Sequence, residues 1–157
     1  MRTSLGPILI GPCKFLAVEH LIDASNELMA SLYPAESNHL VSEKELEAPG
    51  STLLAAELNS TVVGCVAMIR RSEDYAEVKR LFVDPAFRGR GIGGRLMNSI
   101  EQHAQTHAIP CLRLEVGVAQ PDAVGMYEAL GYQSRPPFGH YVADPLSLFY
   151  EKELPQR

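Results

Sequence analysis

The sequence predicts one α/β domain built on a mixed sheet. Three observations lead there. Two neighbouring apolar strands are joined by the short turn Asn59-Ser60, which is a hairpin signal. A strand running to Val83 feeds a loop rich in glycine and arginine, which opens into a strongly periodic helix. Strands and helices then alternate to the end, giving the order βααβββαβαβ with one more strand expected around Tyr132. At 157 residues the chain is long enough for one core and short of two ordinary ones.

Each element has its own signal. Leu5 to Gly11 reads as a first strand. A secretory leader fits this stretch less well, because Pro7 and Pro12 interrupt it and Lys14 and Glu19 follow closely. His20 to Leu32 carries Leu21, Ile22, Ala24, Leu28, Met29 and Leu32 near a helical repeat, and Tyr33-Pro34 stops it. Ser42-Glu43-Lys44-Glu45 is a capping box opening a short helix that Pro49-Gly50 ends. Thr52 to Leu58 and Thr61 to Arg70 form the hairpin, and the second strand is apolar enough to be covered on both faces. Tyr75 to Val83 is the strand before the glycine loop. Ile92, Leu96, Ile100 and Ala104 recur every fourth residue as the buried stripe of the next helix, which Ile109-Pro110 ends. Cys111 to Val116 is a strand, Pro121 and Gly131 frame a helix over Asp122 to Leu130, and Leu146 to Glu151 is the last strand.

Composition bounds the chemistry. A net charge of −5 argues against general binding to nucleic acid or an anionic membrane. No run approaches the ~18 apolar residues of a membrane span. An anionic ligand therefore needs a local basic cluster, which Lys79, Arg80, Arg88, Arg90 and Arg95 supply. Cys13, Cys65 and Cys111 all lie in apolar surroundings and read as buried reduced thiols of a cytoplasmic protein. His103 and His107 share a helix face without a third ligand, so no metal site is expected.

The loop from Arg88 to Arg95 is the most specific feature. Its glycines let the backbone approach a ligand, and the free amides of a helix start attract an anion. Gly89, Gly91 and Gly94 also satisfy the spacing of a dinucleotide fingerprint, with Glu115 placed as the ribose-binding acid. Against that reading, Asp84 to Arg88 separate strand from loop, only one βαβ unit is present, and the chain is short. A Walker A reading fails because no Lys-Ser or Lys-Thr follows the glycines.

Arg88-x-x-Gly91-x-Gly93, followed by Ala123-x-x-x-Tyr127-x-x-x-Gly131-Tyr132, resembles the two motifs of the GCN5-related N-acetyltransferases at family spacing. The ending Pro137 to Tyr141 with Asp144 to Phe149 is similar to a subgroup of small bacterial members. One departure is Gln120, which stands where the family commonly has Asn. The resemblance implies a single domain over residues 1–157, of α+β type. It further implies a mostly antiparallel sheet of six to seven strands flanked by about four helices.

The resemblance also implies acetyl transfer from acetyl-CoA to a primary amine, with CoA as product. It places the pyrophosphate on the amides of Arg88, Gly89, Arg90, Gly91, Ile92, Gly93, Gly94 and Arg95. The pantetheine arm would lie along Leu81, Phe82 and Val83, with Gln120 and Tyr127 beside it. Glu77, nominally on the same strand face as Leu81, takes the general-base position, and Tyr127 that of proton donor to the leaving thiolate. The alternatives are a surface partner of Lys79 or Arg80 for Glu77, and a packed helix tyrosine for Tyr127. Tyr33, Glu36 and His39 would form one wall of the acceptor pocket and Phe138 and Tyr141 the other, or else pack the loops. The acceptor is a small-molecule amine or, alternatively, a protein amine. A non-catalytic CoA-binding module remains a different class, and a homodimer is compatible with the family.

Overall fold

The computed structural model describes residues 6–38 and 41–156. The elements, in chain order, are β1 (Ile8–Pro12), α1 (Phe15–Leu32), α2 (Glu43–Leu46), β2 (Ser51–Leu58), β3 (Thr61–Arg70), β4 (Ala76–Val83), α3 (Ile92–Thr106), β5 (Cys111–Gly117), α4 (Pro121–Ala129), β6 (Gln133–Ser134) and β7 (Ser147–Glu153). The seven strands form one sheet in the order β1-β2-β3-β4-β5-β7-β6. Every neighbouring pair is antiparallel except β4 with β5. This is the α+β domain expected, and the strand anticipated near Tyr132 is the two-residue β6.

Local chemistry sets the elements. Asn59 and Ser60 both take positive φ, +51° and +65°, the twist a two-residue hairpin turn demands. Ser42 Oγ accepts the Glu45 amide at 3.3 Å, closing the capping interaction at the start of α2. Helix α1 begins at Phe15, five residues before the expected start. Its Lys14 cap makes no side-chain bond and so leaves no signal, yet Val18 is fully buried and extends the stripe of Leu21, Ile22 and Ser25.

Both faces of the sheet are covered. On one, α3 and α4 pack Ile92, Leu96, Met97, Ile100 and Tyr127 against Leu54, Val66, Met68, Val78 and Leu114. On the other, α1 and α2 pack Val18, Leu21, Ile22 and Leu46 against Leu53, Cys65, Ala67, Ile69 and Phe82. Along β4 the alternation is interrupted. Ala76 and Val78 face the α3 side, while Lys79 opposes Ala67 on the α1 side. Arg80 then adopts φ +59°, and the register moves from Ala67↔Lys79 to Cys65↔Phe82. Three residues of β4 thus answer two of β3, which is a bulge. Beyond it Phe82 packs on the α1 face, and Leu81 and Val83 turn to the α3 face. Glu77 and Leu81 therefore point to opposite faces, correcting the period-two reading that put them on one.

The bulge is pinned. Arg80 Nη1 donates to Asn26 Oδ1 at 2.6 Å, Arg80 Nη2 to the Val41 carbonyl at 3.0 Å, and the Cys65 thiol to the Arg80 carbonyl at 3.3 Å. These bonds hold a left-handed residue that costs roughly 1–2 kcal/mol in an L-amino acid.

Candidate functional site

Strands β4 and β5 pair at only two positions, Ala76↔Leu112 and Glu77↔Arg113, and then part. The gap becomes a slot through the sheet, lined by Lys79, Arg80 and Leu81 on one side and Glu115, Val116 and Gly117 on the other. Tyr33 closes one end. Its hydroxyl accepts the Ala119 amide at 3.1 Å and donates to Gln120 Oε1 at 3.3 Å. A Cβ on Gly117 would overlap the Tyr33 ring, so the glycine is what admits it. Gln120 precedes α4 without capping it through its side chain, which is instead directed to Tyr33. Tyr127, on α4, lines the slot and is buried. Burial pushes its phenol above the usual range, with the Glu115 charge adding to the effect.

The glycine loop follows β4, whose Leu81 lines the slot. Asp84 starts it, its amide bonding the Val63 carbonyl at 2.8 Å and its carboxylate accepting the Ala86 amide at 2.9 Å. Gly89 and Gly91 hold φ of +79° and +78°, the left-handed region that disfavours a side chain. The first bond of the α3 ladder runs from the Arg95 amide to the Gly91 carbonyl at 3.1 Å. The amides ahead of it, from Gly91 to Gly94, have no place in the ladder and carry the positive end of the helix dipole. Open space lies where a Cβ of Gly89, Gly91 or Gly94 would stand. A Cβ on Gly93 would sit 3.2 Å from Met126 Sδ, so that glycine serves close packing on α4.

The arginines of the loop are held by the protein. Arg88 Nε donates to the Val83 carbonyl at 3.0 Å and its guanidinium covers the Phe82 ring. Arg90 lies over Phe87, and Arg95 Nη2 donates to the Ile8 carbonyl at 3.2 Å. Lys79 and Arg80, counted by sequence in one basic cluster with them, face elsewhere. What the loop itself presents at the start of α3 is backbone amides.

A second cavity, of about 560 Å³, adjoins the slot at Lys79, which lines both. Arg71, Tyr75, Glu77, Phe138, His140 and Tyr141 line it with Val41 and Glu45. Glu77 is only 3% exposed, and it is no surface residue. Arg71 Nε donates to its Oε1 at 3.0 Å, and Nη2 lies 3.0 Å from the same oxygen in an ion pair. The Tyr141 hydroxyl donates to Oε2 at 2.6 Å and accepts from Lys79 Nζ at 2.9 Å. Lys79 Nζ itself lies 3.7 Å from Glu77. Burial lowers the Lys79 pKa, opposed by the charges of Glu77 and Glu115. Burial, with Glu77 next in effect, raises that of Tyr141. Phe138 sits edge-on to Tyr75, Tyr141 and Phe149, bracing the loop that carries Tyr141.

Of the residues expected from sequence, Leu81, Gln120, Tyr33 and Tyr127 meet in the slot, and Glu77, Phe138 and Tyr141 in the cavity. Phe82 is turned into the α1-side core. Glu36 is exposed on a one-turn helix and lines neither space, while His39 lies outside the described residues. Tyr33 lines the slot and not the second cavity, apart from Phe138 and Tyr141. Sequence reasoning missed Arg71 altogether; it sits in the β3–β4 connection, where charged residues are commonplace. Burial pushes the Cys13 thiol up to about 11 and the Cys65 thiol up to about 12, and no cysteine lines either space. Among the described residues no group of His, Cys, Asp and Glu could hold a metal ion, and no helix is long and apolar enough to cross a membrane.

Comparison with known proteins agrees with this geometry. Residues 18–132 match the model of the Acetyltransferase (GNAT) family. An IAA acetyltransferase of Azospirillum brasilense is 45% identical over 139 residues, 88% of this chain and 91% of that one. The crystal structure of a candidate acyl-CoA N-acyltransferase from Klebsiella pneumoniae superposes with a TM-score of 0.80 at 30% identity, covering 94% of this chain and 97% of that one. A PaiA N-acetyltransferase from Thermoplasma acidophilum, solved in complex with coenzyme A, shares the fold with a TM-score of 0.74 at 19% identity, covering 94% and 98%.

The Tyr33–Gly117 contact gives a direct test. Gly117→Ala should destabilise the protein by about 1–3 kcal/mol, the usual range for forcing an added carbon into packed surroundings. In a Tyr33→Ala background the same substitution should cost little, because the overlapping ring is gone. Denaturant melts of the two singles and the double check this; equal penalties in both backgrounds would contradict the assigned contact.

Proposed function

The chain belongs to the GNAT acetyltransferase family and is an acyl-CoA-dependent N-acetyltransferase; from that premise we propose that it acetylates the primary amine of a small molecule by direct attack, with acetyl-CoA and acceptor bound together. The observation that carries this reading is the parting of β4 and β5 just past Glu77. It leaves one slot that meets the charged cavity at Lys79, lined by the Leu81 end of the strand that runs on to the glycine loop.

Acetyl-CoA fits the residues present. The left-handed glycines, the amides from Gly91 to Gly94 and the open space above them suit a pyrophosphate. The β4 backbone from Leu81 to Val83 lies past its last pairing with β5 and suits an extended arm laid along it. Bound there, acetyl-CoA supplies an activated acetyl thioester. The same backbone edge offers amide donors for an oxyanion.

The chain's own groups then handle protons. A primary amine with a pKa near ~10.4 is mostly protonated at neutral pH and needs a base. Both oxygens of Glu77 are engaged, so its path to the amine runs through Tyr141. Lys79 Nζ donates to Tyr141 Oη and thereby orients the hydroxyl proton toward Glu77. Tyr141 Oη can take a proton from the amine while passing its own to Glu77 Oε2. Tyr127 is the donor to the departing thiolate. Its pKa is raised above the ordinary 10, so it stays protonated across the neutral range and can give the proton up at Oη. The absence of any cysteine from both spaces favours direct attack over transfer through a thiol. The relative called an IAA acetyltransferase favours a small acceptor over a protein one.

Three variants separate the roles. Gly91→Asp puts a carboxylate where the cradle needs an anion and a Cβ at φ +78°. Calorimetry should show acetyl-CoA binding weakened at least a hundredfold in a folded protein; affinity like wild type would remove the cradle. Glu77→Gln should leave cofactor affinity within a few-fold and lower kcat/KM by about 10²–10⁴ near neutrality. Part of that loss should return as pH rises and the amine deprotonates unaided, so a pH–rate profile superimposable on wild type would make Glu77 purely structural. The decisive assay is release of CoA thiol across an amine library with wild type and Tyr127→Phe. The variant should lose roughly tenfold or more in kcat with an unchanged melting temperature. No release with any amine would sink the proposed activity.

A further inference from the structure

Resting on that reading, we propose that the cavity selects amines that also carry a carboxylate a few bonds away, as in an amino acid, with Arg71 as the carboxylate handle. The guanidinium of Arg71 spends Nε and Nη2 on one oxygen of Glu77. Its third nitrogen, Nη1, has Glu45 at 3.8 Å, beyond hydrogen-bond reach. Arg71 lines the cavity, and its side chain is 34% exposed. A guanidinium held by one carboxylate keeps a planar N–H edge for a second, which an ammonium cannot match.

Charge points the same way. Two cations, Arg71 and Lys79, share the single buried carboxylate of Glu77 at the floor of the cavity. Glu45 at the rim is 48% exposed and largely screened by water. Glu115, the other carboxylate near Lys79, lies on the slot side and accepts the Ser147 hydroxyl at 2.7 Å. An entering anionic group thus meets Arg71 and Lys79 in the cavity, balanced by Glu77 and Glu45, in a chain whose overall charge is −5.

The spacing fixes the class further. Arg71 and the Tyr141 hydroxyl bind opposite oxygens of the same Glu77 carboxylate, within 3.0 Å and 2.6 Å. One carboxylate separates the two groups, so a single small ligand can give its amine to Tyr141 and its acid to the outer edge of Arg71. Amine and acid then belong to one compact molecule. Long diamines and polyamines, which would place a second cation against Arg71 and Lys79, are disfavoured.

The test compares amino acids of several side chains with their own carboxamides as acceptors, reading kcat/KM by CoA release. An amide's amine is less basic and more often neutral, so preference for the free acid runs against intrinsic reactivity. Wild type should favour the acids at least tenfold, and Arg71→Lys, which keeps a cation for Glu77 but loses the planar edge, should bring the ratio close to one. Equal or better turnover of the amides by wild type overturns the proposal. If Arg71→Lys does not fold, wild type still decides. The matching carboxylic acids without the amine should inhibit competitively against the amine, and their amides should not; equal inhibition by both overturns the proposal. Failure to acetylate any amine would strike the parent activity alone, and calorimetric binding of the same amine-free acids, against none for their amides, would then judge the handle separately.

Discussion

The left-handed turn of β4 at Arg80 is the constraint on which the site depends. Pairing with β5 already ends at Glu77, and past Arg80 the alternation along β4 is reversed. The reversal gives one strand two tasks. Glu77 and Lys79 look toward the acceptor cavity, while Leu81 and Val83 lean on the α3 face and leave their backbone beside the slot. A regular strand could not aim both groups this way, because every second residue would share a face. The bonds from Arg80 to Asn26 and Val41 explain why a non-glycine residue is tolerated there. They also tie the bulge to α1 and to the segment before α2, so the helical side of the domain sets where the strand breaks step.

The opposite lip is held by a different device. Tyr33, at the end of α1, occupies the volume that a side chain at residue 117 would need, and it bonds the backbone at Ala119. One aromatic ring thus seats the end of β5 against α1. The two lips are positioned independently, one by a pinned bulge and one by a ring in a glycine notch. Neither depends on the charged network between them. That network is costly to bury, since Glu77 loses almost all its water, and it survives because Arg71, Lys79 and Tyr141 together replace the lost hydration. Removing one member would strand the others, which gives it rigidity as well as charge.

Much of this was readable from residues alone. The hairpin at Asn59-Ser60, the capping box at Ser42, the stripe of α3 and the glycine loop each have a local physical cause, so each left a local signature. The bulge did not. Arginine is an ordinary strand-edge residue, and nothing in Val78-Lys79-Arg80-Leu81 shows that tertiary bonds force φ positive; the face of Leu81 was therefore misread. Arg71 was missed for a similar reason, being one charged residue in a turn of charged residues. The loop arginines were read as ligands for an anion because charge is visible in sequence. Their acceptors, the carbonyls of Val83 and Ile8, are visible only in the fold.

That last difference bears on how specificity is divided. A cradle made of amides and a helix dipole recognises a pyrophosphate whatever the side chains around it, provided the left-handed glycines remain. The arginines then serve the loop's shape: Arg88 closes it onto β4 and Arg95 ties α3 to β1. Under the proposed function, donor recognition is built into backbone geometry, which changes little with substitution at exposed positions. Acceptor recognition would then lie in side chains on two connections, Arg71 after β3 and Tyr141 before β7, which meet at Glu77. Connections accept substitution more readily than strands do. A new acceptor could therefore be reached by changing these two segments while the slot, the cradle and Tyr127 stay as they are.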